Sequence, residues 1–220
     1  MPAARELLLD AAFAALRARP WNGVRMVDVA AAAGVSRQTL YNEFGSKDGL
    51  ARALVRREAE AFLAGVERAL APASATAAPD PGARCAAAAG WILRTARANP
   101  LVRAALTGCR GERLPAAAVP LLPAPRGPFA RSAPRPAPGA AALTEAVRDR
   151  AVRAVSGTAV EQAPEVTLRA CEAAVRLTLS YVVAPGASDE EAAAQVARLV
   201  RTLVGEHDAE GTREGTRPEQ

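Results

Sequence analysis

Histidine, cysteine and aromatic residues are scarce in this 220-residue sequence. It contains 1 histidine and 3 cysteines, and 4% of its residues are aromatic. The histidine, His207, lies near the C-terminus and is assigned no chemistry. Cys85, Cys109 and Cys171 are an odd number at wide spacings, which excludes a disulfide framework and a zinc motif. We expect three reduced, mostly buried thiols, the alternative being a thiol-sensing role.

The residue combinations that carry most enzyme chemistry are missing as well. No nucleophile has a nearby base, no set of residues has metal-ligand spacing, and no glycine-rich phosphate loop is present. We therefore expect a protein that is not an enzyme and that needs no cofactor.

Long apolar runs are also missing. No stretch reaches the roughly 18 apolar residues that would span a bilayer. The leucines at 7–9 stand among Arg5, Glu6 and Asp10, and that run is too short for the core of a signal peptide. We expect a cytoplasmic protein with no membrane partner.

The net charge of +5 and the pI near 9.8 permit nucleic-acid binding, but the charge is unevenly placed. Residues 1–71 carry ten basic and eight acidic side chains, whereas residues 72–140 carry nine and two. Any argument for DNA binding must therefore rest on a motif.

Half of the residues are hydrophobic, and alanine supplies much of that half. Such a composition, with few strand-forming residues, predicts an all-α fold of packed helices. Apolar periodicity predicts helices over 46–71, 83–98 and 101–109, then three more near Leu143–Val155, Leu168–Val182 and from Ser188 onward. Residues 115–138 contain eight prolines and are predicted to form a loop, with a helical turn near 116–122 as an option.

Residues 28–50, DVAAAAGVSRQTLYNEFGSKDGL, have the layout of a helix-turn-helix, in which the second helix enters the DNA major groove. Gly34 supplies the turn, where a positive φ is accessible. Ser36 is a good N-cap for the second helix, and Leu40 and Phe44 would point inward. Ser46 would cap the helix that follows.

The second helix of this motif keeps an outer face of polar side chains that can reach base edges and phosphates. In an isolated helix these residues would more often form an ordinary solvated face, but the turn and the caps favour DNA recognition. Lys47 stands beside unpaired N-terminal amides, a suitable corner for a phosphate. The outer face consists of Arg37, Gln38, Thr39, Tyr41 and Asn42.

This segment, roughly Arg5 to Arg57, resembles the signature of the TetR family of bacterial one-component transcriptional regulators. The resemblance implies that Tyr41 and Lys47 contact phosphates. It implies that the groove is read by Arg37, Gln38, Thr39 and Asn42.

Three positions depart from the family pattern. Arg25 stands where a capping Thr or Ser usually precedes the first helix of the motif, and it could reach a phosphate instead. Pro20 replaces a common glycine. Asn42 replaces a frequent histidine, which leaves the operator sequence open.

The resemblance further implies an N-terminal three-helix DNA-binding domain (1–50), a helical ligand-binding and dimerisation domain (51–207) and a flexible tail (208–220). The last two long helices would form the interface of a homodimer that reads a palindromic operator in double-stranded DNA. A small, largely apolar effector would bind among residues 83–109, 140–156 and 165–183. Its candidate lining residues, for which core packing is the more usual role, are Trp91, Leu93, Leu106, Cys109 and Leu143.

The expected function is that of a transcriptional regulator, most often a repressor in this family, that an effector releases from DNA. The alternative is a DNA-binding regulator with no small-molecule ligand, controlled by a protein partner or by its expression level. Residue patterns alone do not separate these two.

Overall fold

The computed structural model of the protein describes residues 4–72, 80–108, 114–115, 139–156 and 164–214. Within these ranges the regular structure is helical, with nine α-helices and one short 3₁₀ turn at Trp21–Gly23. The helices are α1 Ala4–Ala18, α2 Met26–Ala32, α3 Arg37–Phe44, α4 Lys47–Leu70, α5 Pro81–Ala98, α6 Pro100–Thr107, α7 Ala140–Ser156, α8 Pro164–Val183 and α9 Asp189–Glu214. The predicted all-α fold class is confirmed.

The described residues fall into two compact units, of which the first draws on Met1–Ala61 and Pro100–Leu143. Its core is built where α1, α2, α3 and the start of α4 bury their apolar faces. Leu8, Leu40 and Leu54 are fully buried there, and Trp21 is nearly so. These contacts hold α3 by its inner face and leave its outer face in solvent.

The second unit draws on Phe62–Asn99 and Thr144–Gln220. In it α5 packs against both α8 and α9, and small residues on α5 allow close approach. A Cβ on Gly82 would come within 2.8 Å of the Ala197 carbonyl oxygen on α9. This contact explains a glycine in the first turn of a helix, where the residue otherwise has low propensity.

Most predicted helix bounds lie within a residue or two of those observed. Helix α5 begins at Pro81 rather than at the predicted Ala83, because a proline is well accommodated in the first turn after an N-cap such as Asp80. Helix α9 begins directly after Ser188, as predicted, and Ser188 Oγ caps it by accepting the Glu191 N–H over 3.1 Å.

Helix α9 continues past Gly205 to Glu214, into the segment 208–220 that was expected to form a flexible tail. Among the described glycines, positive φ angles occur only at Gly34, Gly45 and Gly108. Gly205 therefore does not form the left-handed cap that ends many helices. Of the predicted proline-rich loop at 115–138, residues 116–138 lie outside the described residues.

Candidate nucleic-acid interface

The turn between α2 and α3 is fixed by one glycine and one serine. Gly34 has a φ of +66°, a conformation that most other side chains disfavour. Ser36 Oγ accepts a hydrogen bond from the Thr39 N–H over 3.0 Å, so the predicted N-cap of α3 is confirmed. The Thr39 hydroxyl lies 2.9 Å from the same Oγ, and Thr39 is only half-exposed. Thr39 thus supports the cap as well as standing on the candidate reading face.

Helix α3 has a buried side and an exposed side. Leu40 is fully buried, and Phe44 packs against the same core. On the opposite side Arg37, Gln38 and Asn42 are exposed. Tyr41 is 48% exposed, which is unusual for a large aromatic side chain in a protein this poor in aromatics. The exposed side thus offers guanidinium, amide and phenol groups together.

Two of the predicted groove readers contact each other. Gln38 Nε2 donates to Asn42 Oδ1 over 2.8 Å, one helical turn apart. The side-chain oxygen of Gln38, Oε1, and the side-chain nitrogen of Asn42, Nδ2, take no part in this bond. Side-chain amides at this spacing can present both a donor and an acceptor to a base edge.

Arg25 occupies the N-cap position of α2 and makes no side-chain cap hydrogen bond. Its guanidinium instead donates twice to Asp28, from Nε and from Nη2, each over 3.0 Å. These hydrogen bonds, together with the charges of Arg25 and Arg19, hold the pKa of Asp28 below its usual range. Arg25 itself is 73% exposed and remains accessible to a phosphate.

Lys47 opens α4 beside the end of α3. Its ammonium group donates to the Asn22 carbonyl oxygen over 3.1 Å and lies 5.6 Å from the centre of the Trp21 ring. Ser46 Oγ accepts the Gly49 N–H over 3.1 Å, as the N-cap prediction requires. The lysine is therefore held close to the first turn of α4, in the region where a phosphate was predicted to bind.

Gly49 is a residue of this corner that the sequence reasoning missed. A Cβ at Gly49 would overlap the Phe44 carbonyl oxygen at the end of α3. The close crossing of α3 and α4 thus depends on a glycine. The motif GSKDG contained the signal, because its second glycine falls inside a predicted helix, where glycine is costly without a packing reason.

A further group missed from sequence holds α1 to α4. Arg57 Nη1 lies 2.6 Å from Asp10 Oδ1, and Nη2 lies 2.9 Å from Glu58 Oε1. Arg5 lies 4.8 Å over the Phe44 ring and pairs with Glu43 over 3.5 Å. The Asp10 pair ties the middle of α4 to α1, and the Glu43 pair ties the end of α3 to α1, which supports the placement of the exposed face.

The residues predicted to line an effector pocket are divided between the two units. Trp91 and Leu93 belong to the second unit, whereas Leu106 and Leu143 belong to the first. Leu93, Leu106 and Leu143 are all buried among other side chains. Cys109 lies outside the described residues.

Trp91 has a packing role against α4. Its indole N–H donates to the Phe62 carbonyl oxygen over 3.4 Å. The ring covers Gly65 so closely that a Cβ there would overlap it, and Arg68 lies 5.9 Å from the ring centre. The packing of α5 against α4 thus explains why Trp91 and Gly65 occupy these positions.

The second unit does contain an apolar cavity, of only about 10 Å³. That volume is about the size needed to hold one water molecule. In this state the helices close over the space, and a ligand of any size would have to separate them. Its lining residues are Val66, Leu70, Cys85, Ala88, Ala89, Ile92, Val147, Ala151, Ala174, Val175 and Thr178.

The comparisons with known proteins agree with the helix-turn-helix geometry. Residues 8–54 match the family described as bacterial regulatory proteins, tetR family. Residues 138–202 match the bacterial tetracyclin repressor C-terminal domain. The HTH-type transcriptional regulator AlkX of Mycobacterium tuberculosis is 32% identical over 204 residues, which cover 92% of this chain and 86% of that protein. This chain belongs to the TetR family.

Solved structures share the fold of the whole chain. The TetR family repressor AlkX from Dietzia superposes with a TM-score of 0.52 at 22% identity, covering 94% of this chain and 96% of that one. A tetR-family regulator from Streptomyces coelicolor gives 0.59 at 19% identity, covering 98% and 86%. The resemblance inferred from residues 28–50 is thereby confirmed for the family and the fold.

As a member of this family the protein is a DNA-binding transcriptional regulator, and its relatives belong to a class that is not enzymatic. No helix within the described ranges is long and apolar enough to cross a membrane. The same part of the chain contains no cluster of three or more His, Cys, Asp or Glu side chains placed to hold a metal ion.

Proposed function

We propose that the protein is a homodimeric repressor that reads a palindromic operator with two copies of α3. The exposed side of α3 carries the proposal, because Tyr41, Arg37 and the Gln38–Asn42 pair face solvent on a helix fixed by its inner side. Arg37, Gln38, Thr39 and Asn42 would contact base edges. Tyr41, Lys47 and Arg25 would contact phosphates and set the position of the helix on the duplex. A regulator of this kind would act in the cytoplasm.

A dimer follows from the geometry of DNA recognition. One short helix reads only a few base pairs, whereas two helices related by a two-fold axis read two half-sites at a fixed spacing. Helices α8 and α9 would form the interface. Leu168 and Val183, at the two ends of α8, are 45% and 61% exposed. Apolar side chains that a single chain leaves in solvent are consistent with burial against a second copy.

Release from DNA would be a shift between two populated states. A ligand that separates the helices around the apolar cavity would favour a spacing of the two α3 helices that no longer matches successive major grooves. The apolar lining of the cavity supports an effector with an apolar part. At saturating ligand, the affinity for DNA would fall by up to the ratio of the ligand's affinities for the DNA-releasing state and the DNA-binding state.

A second candidate is a DNA-binding regulator that responds to no small molecule. The cavity volume of about 10 Å³ favours it, because a preformed effector site is usually several hundred Å³. The two candidates differ in one measurable way. A true effector raises the unfolding temperature of the protein by mass action, and the second candidate has no such ligand.

The dimeric reader is tested by selecting bound sequences from random duplex DNA and weighing the complex by native mass spectrometry. We expect an inverted repeat and two protein chains on each duplex. One chain on each duplex, or a site without two-fold symmetry, would contradict the proposal.

A further inference from the structure

A basic cleft lies in the second unit, next to the apolar cavity. Its volume is about 300 Å³, and it is bordered by the ends of α4 and α7 and the start of α5. Three arginines and one glutamate supply its charge. The lining residues are Glu67, Leu70, Ala71, Arg84, Arg150, Arg153 and Ala154.

The three arginines differ in how far their donors are used. Arg84 Nη1 donates to the Ala154 carbonyl oxygen over 3.1 Å and approaches that of Leu70 at 3.5 Å. Arg84 therefore satisfies carbonyl groups at the C-terminal ends of α4 and α7, where unpaired carbonyls collect. This fixes the guanidinium at the floor of the cleft.

Arg150 is only partly satisfied. Its Nη1 donates to the Ala146 carbonyl oxygen over 3.0 Å, but its Nε is buried and has no hydrogen-bond partner. A buried donor left unpaired is costly, and a group that accepts from it stabilises the site. Arg153, one turn further along α7, is exposed. An anionic oxygen would accept a hydrogen bond from the unused Nε and would balance the excess positive charge of the cleft.

The apolar cavity continues from this cleft, since Leu70 lines both. A ligand in the cavity need not hydrogen-bond to Thr178, because the Thr178 hydroxyl already donates to the Ala174 carbonyl oxygen within α8 over 2.7 Å. Ala88, Ala89, Ala151 and Ala174 leave little side-chain volume between α5, α7 and α8. A thin alkyl chain is therefore the kind of group that could separate these helices at the lowest steric cost.

We propose that this cleft and cavity bind one single-chain amphiphile, with its anionic head group against Arg150 and Arg153 and its alkyl chain between α5 and α8. Arg84 is a positioning residue, because it holds the ends of α4 and α7 around the head group. This proposal rests on the proposed effector-controlled function and specifies the chemical class of the effector. A carboxylate and a phosphate monoester share the required head-group chemistry.

The binding test uses titration calorimetry on the full-length protein with decanoate, decyl phosphate, decan-1-ol and acetate, each below its aggregation concentration. We expect both decyl anions to bind, the alcohol to bind at least about tenfold more weakly, and acetate not to bind. The stronger of the two decyl anions identifies the head group. Equal affinity for decanoate and decan-1-ol, or binding of acetate as tight as that of decanoate, would overturn the proposal.

The arginines are tested by Arg150→Gln, Arg150→Lys and Arg153→Gln, with Arg94→Gln as a matched control at an exposed position of α5. We expect Arg150→Gln to weaken decanoate by about tenfold or more and to leave decan-1-ol unchanged. The decanoate affinity of Arg150→Lys should lie between those of the wild type and Arg150→Gln, because lysine keeps the charge and lacks Nε. Arg153→Gln, at an exposed side chain that folding does not need, should weaken decanoate severalfold. Unchanged decanoate affinity in both Gln variants would overturn the assignment.

A separate measurement tests control of DNA binding. Each amphiphile is added to the protein bound to its selected operator, and release is followed by fluorescence anisotropy. Binding of decanoate without release would support the amphiphile site and contradict effector-controlled repression. Release by a neutral compound, with no binding of decanoate, would support effector control and contradict the anionic head group.

Discussion

Gln38 and Asn42, one turn apart on the exposed side of α3, are joined by a hydrogen bond of 2.8 Å between Nε2 and Oδ1. The bond orients two flexible amides before DNA is present. Fixing side chains in advance lowers the entropy lost on binding. The two residues should therefore act as one reading unit.

We predict that Gln38→Ala and Asn42→Ala are not additive. Each should relax discrimination at overlapping base pairs, because removal of one amide frees the other. A double-mutant cycle on operator variants should give a coupling of about 0.5–3 kcal/mol. Additive effects at separate base pairs would show that the pair breaks on binding.

Lys47 should contribute to affinity without contributing to sequence preference. We predict that Lys47→Met weakens binding to all duplexes and lowers the slope of log K against log salt by about 1.8, the loss of one phosphate contact from each of the two subunits. The lysine also donates to the Asn22 carbonyl oxygen, so thermal unfolding of the variant is measured alongside. Arg94→Gln, at an exposed position of α5, is the control for loss of one exposed charge. A slope unchanged from that of the control would exclude a phosphate contact.

Tyr41→Phe removes only the phenol oxygen from the exposed side of α3. We expect a severalfold loss of affinity that is equal for operator and random duplex, because phosphates carry no sequence information. Competition titrations at fixed salt measure both affinities. A loss confined to the operator would instead assign Tyr41 to a base.

Gly65 and Trp91 offer a test of packing in the second unit. Alanine normally stabilises a helix relative to glycine by about 1 kcal/mol. At Gly65 its Cβ would overlap the Trp91 ring, so we predict that Gly65→Ala destabilises the protein by about 1–3 kcal/mol. Gly205→Ala is the matched control, because a Cβ there meets nothing within 4 Å, and it should stabilise. Chemical denaturation compares the two, and stabilisation by both would place Trp91 away from α4.

Asp80 connects the start of α5 to α9. Its carboxylate accepts the Ala83 N–H over 3.1 Å and pairs with Arg201 Nη2 over 2.6 Å. The hydrogen bond from Arg201 is the main reason that the pKa of Asp80 lies below its ordinary value. A lowered pKa means that the stabilisation is present at neutral pH and is lost as the pH falls below the ordinary carboxyl pKa near 3.8.

Two substitutions at Asp80 separate the cap from the charge. We predict that Asp80→Ala costs about 1 kcal/mol through loss of the N-cap. Asp80→Asn keeps the cap, so it should be destabilised only at neutral pH and should approach the wild type as the carboxylate becomes protonated. Urea unfolding from pH 7 to pH 2 measures both. A constant difference between Asp80→Asn and the wild type across this range would show that the Arg201 pair does not contribute.

Cys85 and Cys171 are both buried free thiols. The hydrogen bond that the Cys171 thiol donates to Cys85, together with burial, raises the pKa of the Cys171 thiol. Because the thiolate is the reactive form, we predict that Cys171 does not react with a thiol reagent at pH 8 until the protein unfolds. Mass spectrometry of the labelled peptides distinguishes the cysteines. Rapid labelling of Cys171 in the folded protein would favour the alternative of a thiol sensor.

The DNA-binding motif could be predicted from sequence because its determinants are local. Gly34, Ser36 and Leu40 act within a few residues of one another, and each was found in its predicted role. The family and fold followed from the same segment. The contacts of Arg25 could not be predicted in the same way, because its side chain does not cap α2 and pairs with Asp28 instead.

The apolar cavity of the second unit could not be predicted from sequence, because periodicity identifies buried apolar residues but not which of them share a cavity. Leu106 and Trp91 have the same pattern, yet they belong to different units. The basic cleft was missed because its arginines lie on two helices that are distant in the chain. Arg84 and Arg150 become a pair only when α5 and α7 meet the end of α4.

The central claim is that the exposed side of α3 reads an inverted repeat in DNA. It is tested most directly by selecting bound sequences from random duplexes with the wild type and with Arg37→Ala in parallel, at the same moderate salt. We predict that the wild type enriches an inverted repeat and that Arg37→Ala keeps its spacing while losing preference at one base pair in each half-site. Identical preferences for the two proteins, or enrichment without two-fold symmetry, would contradict the account.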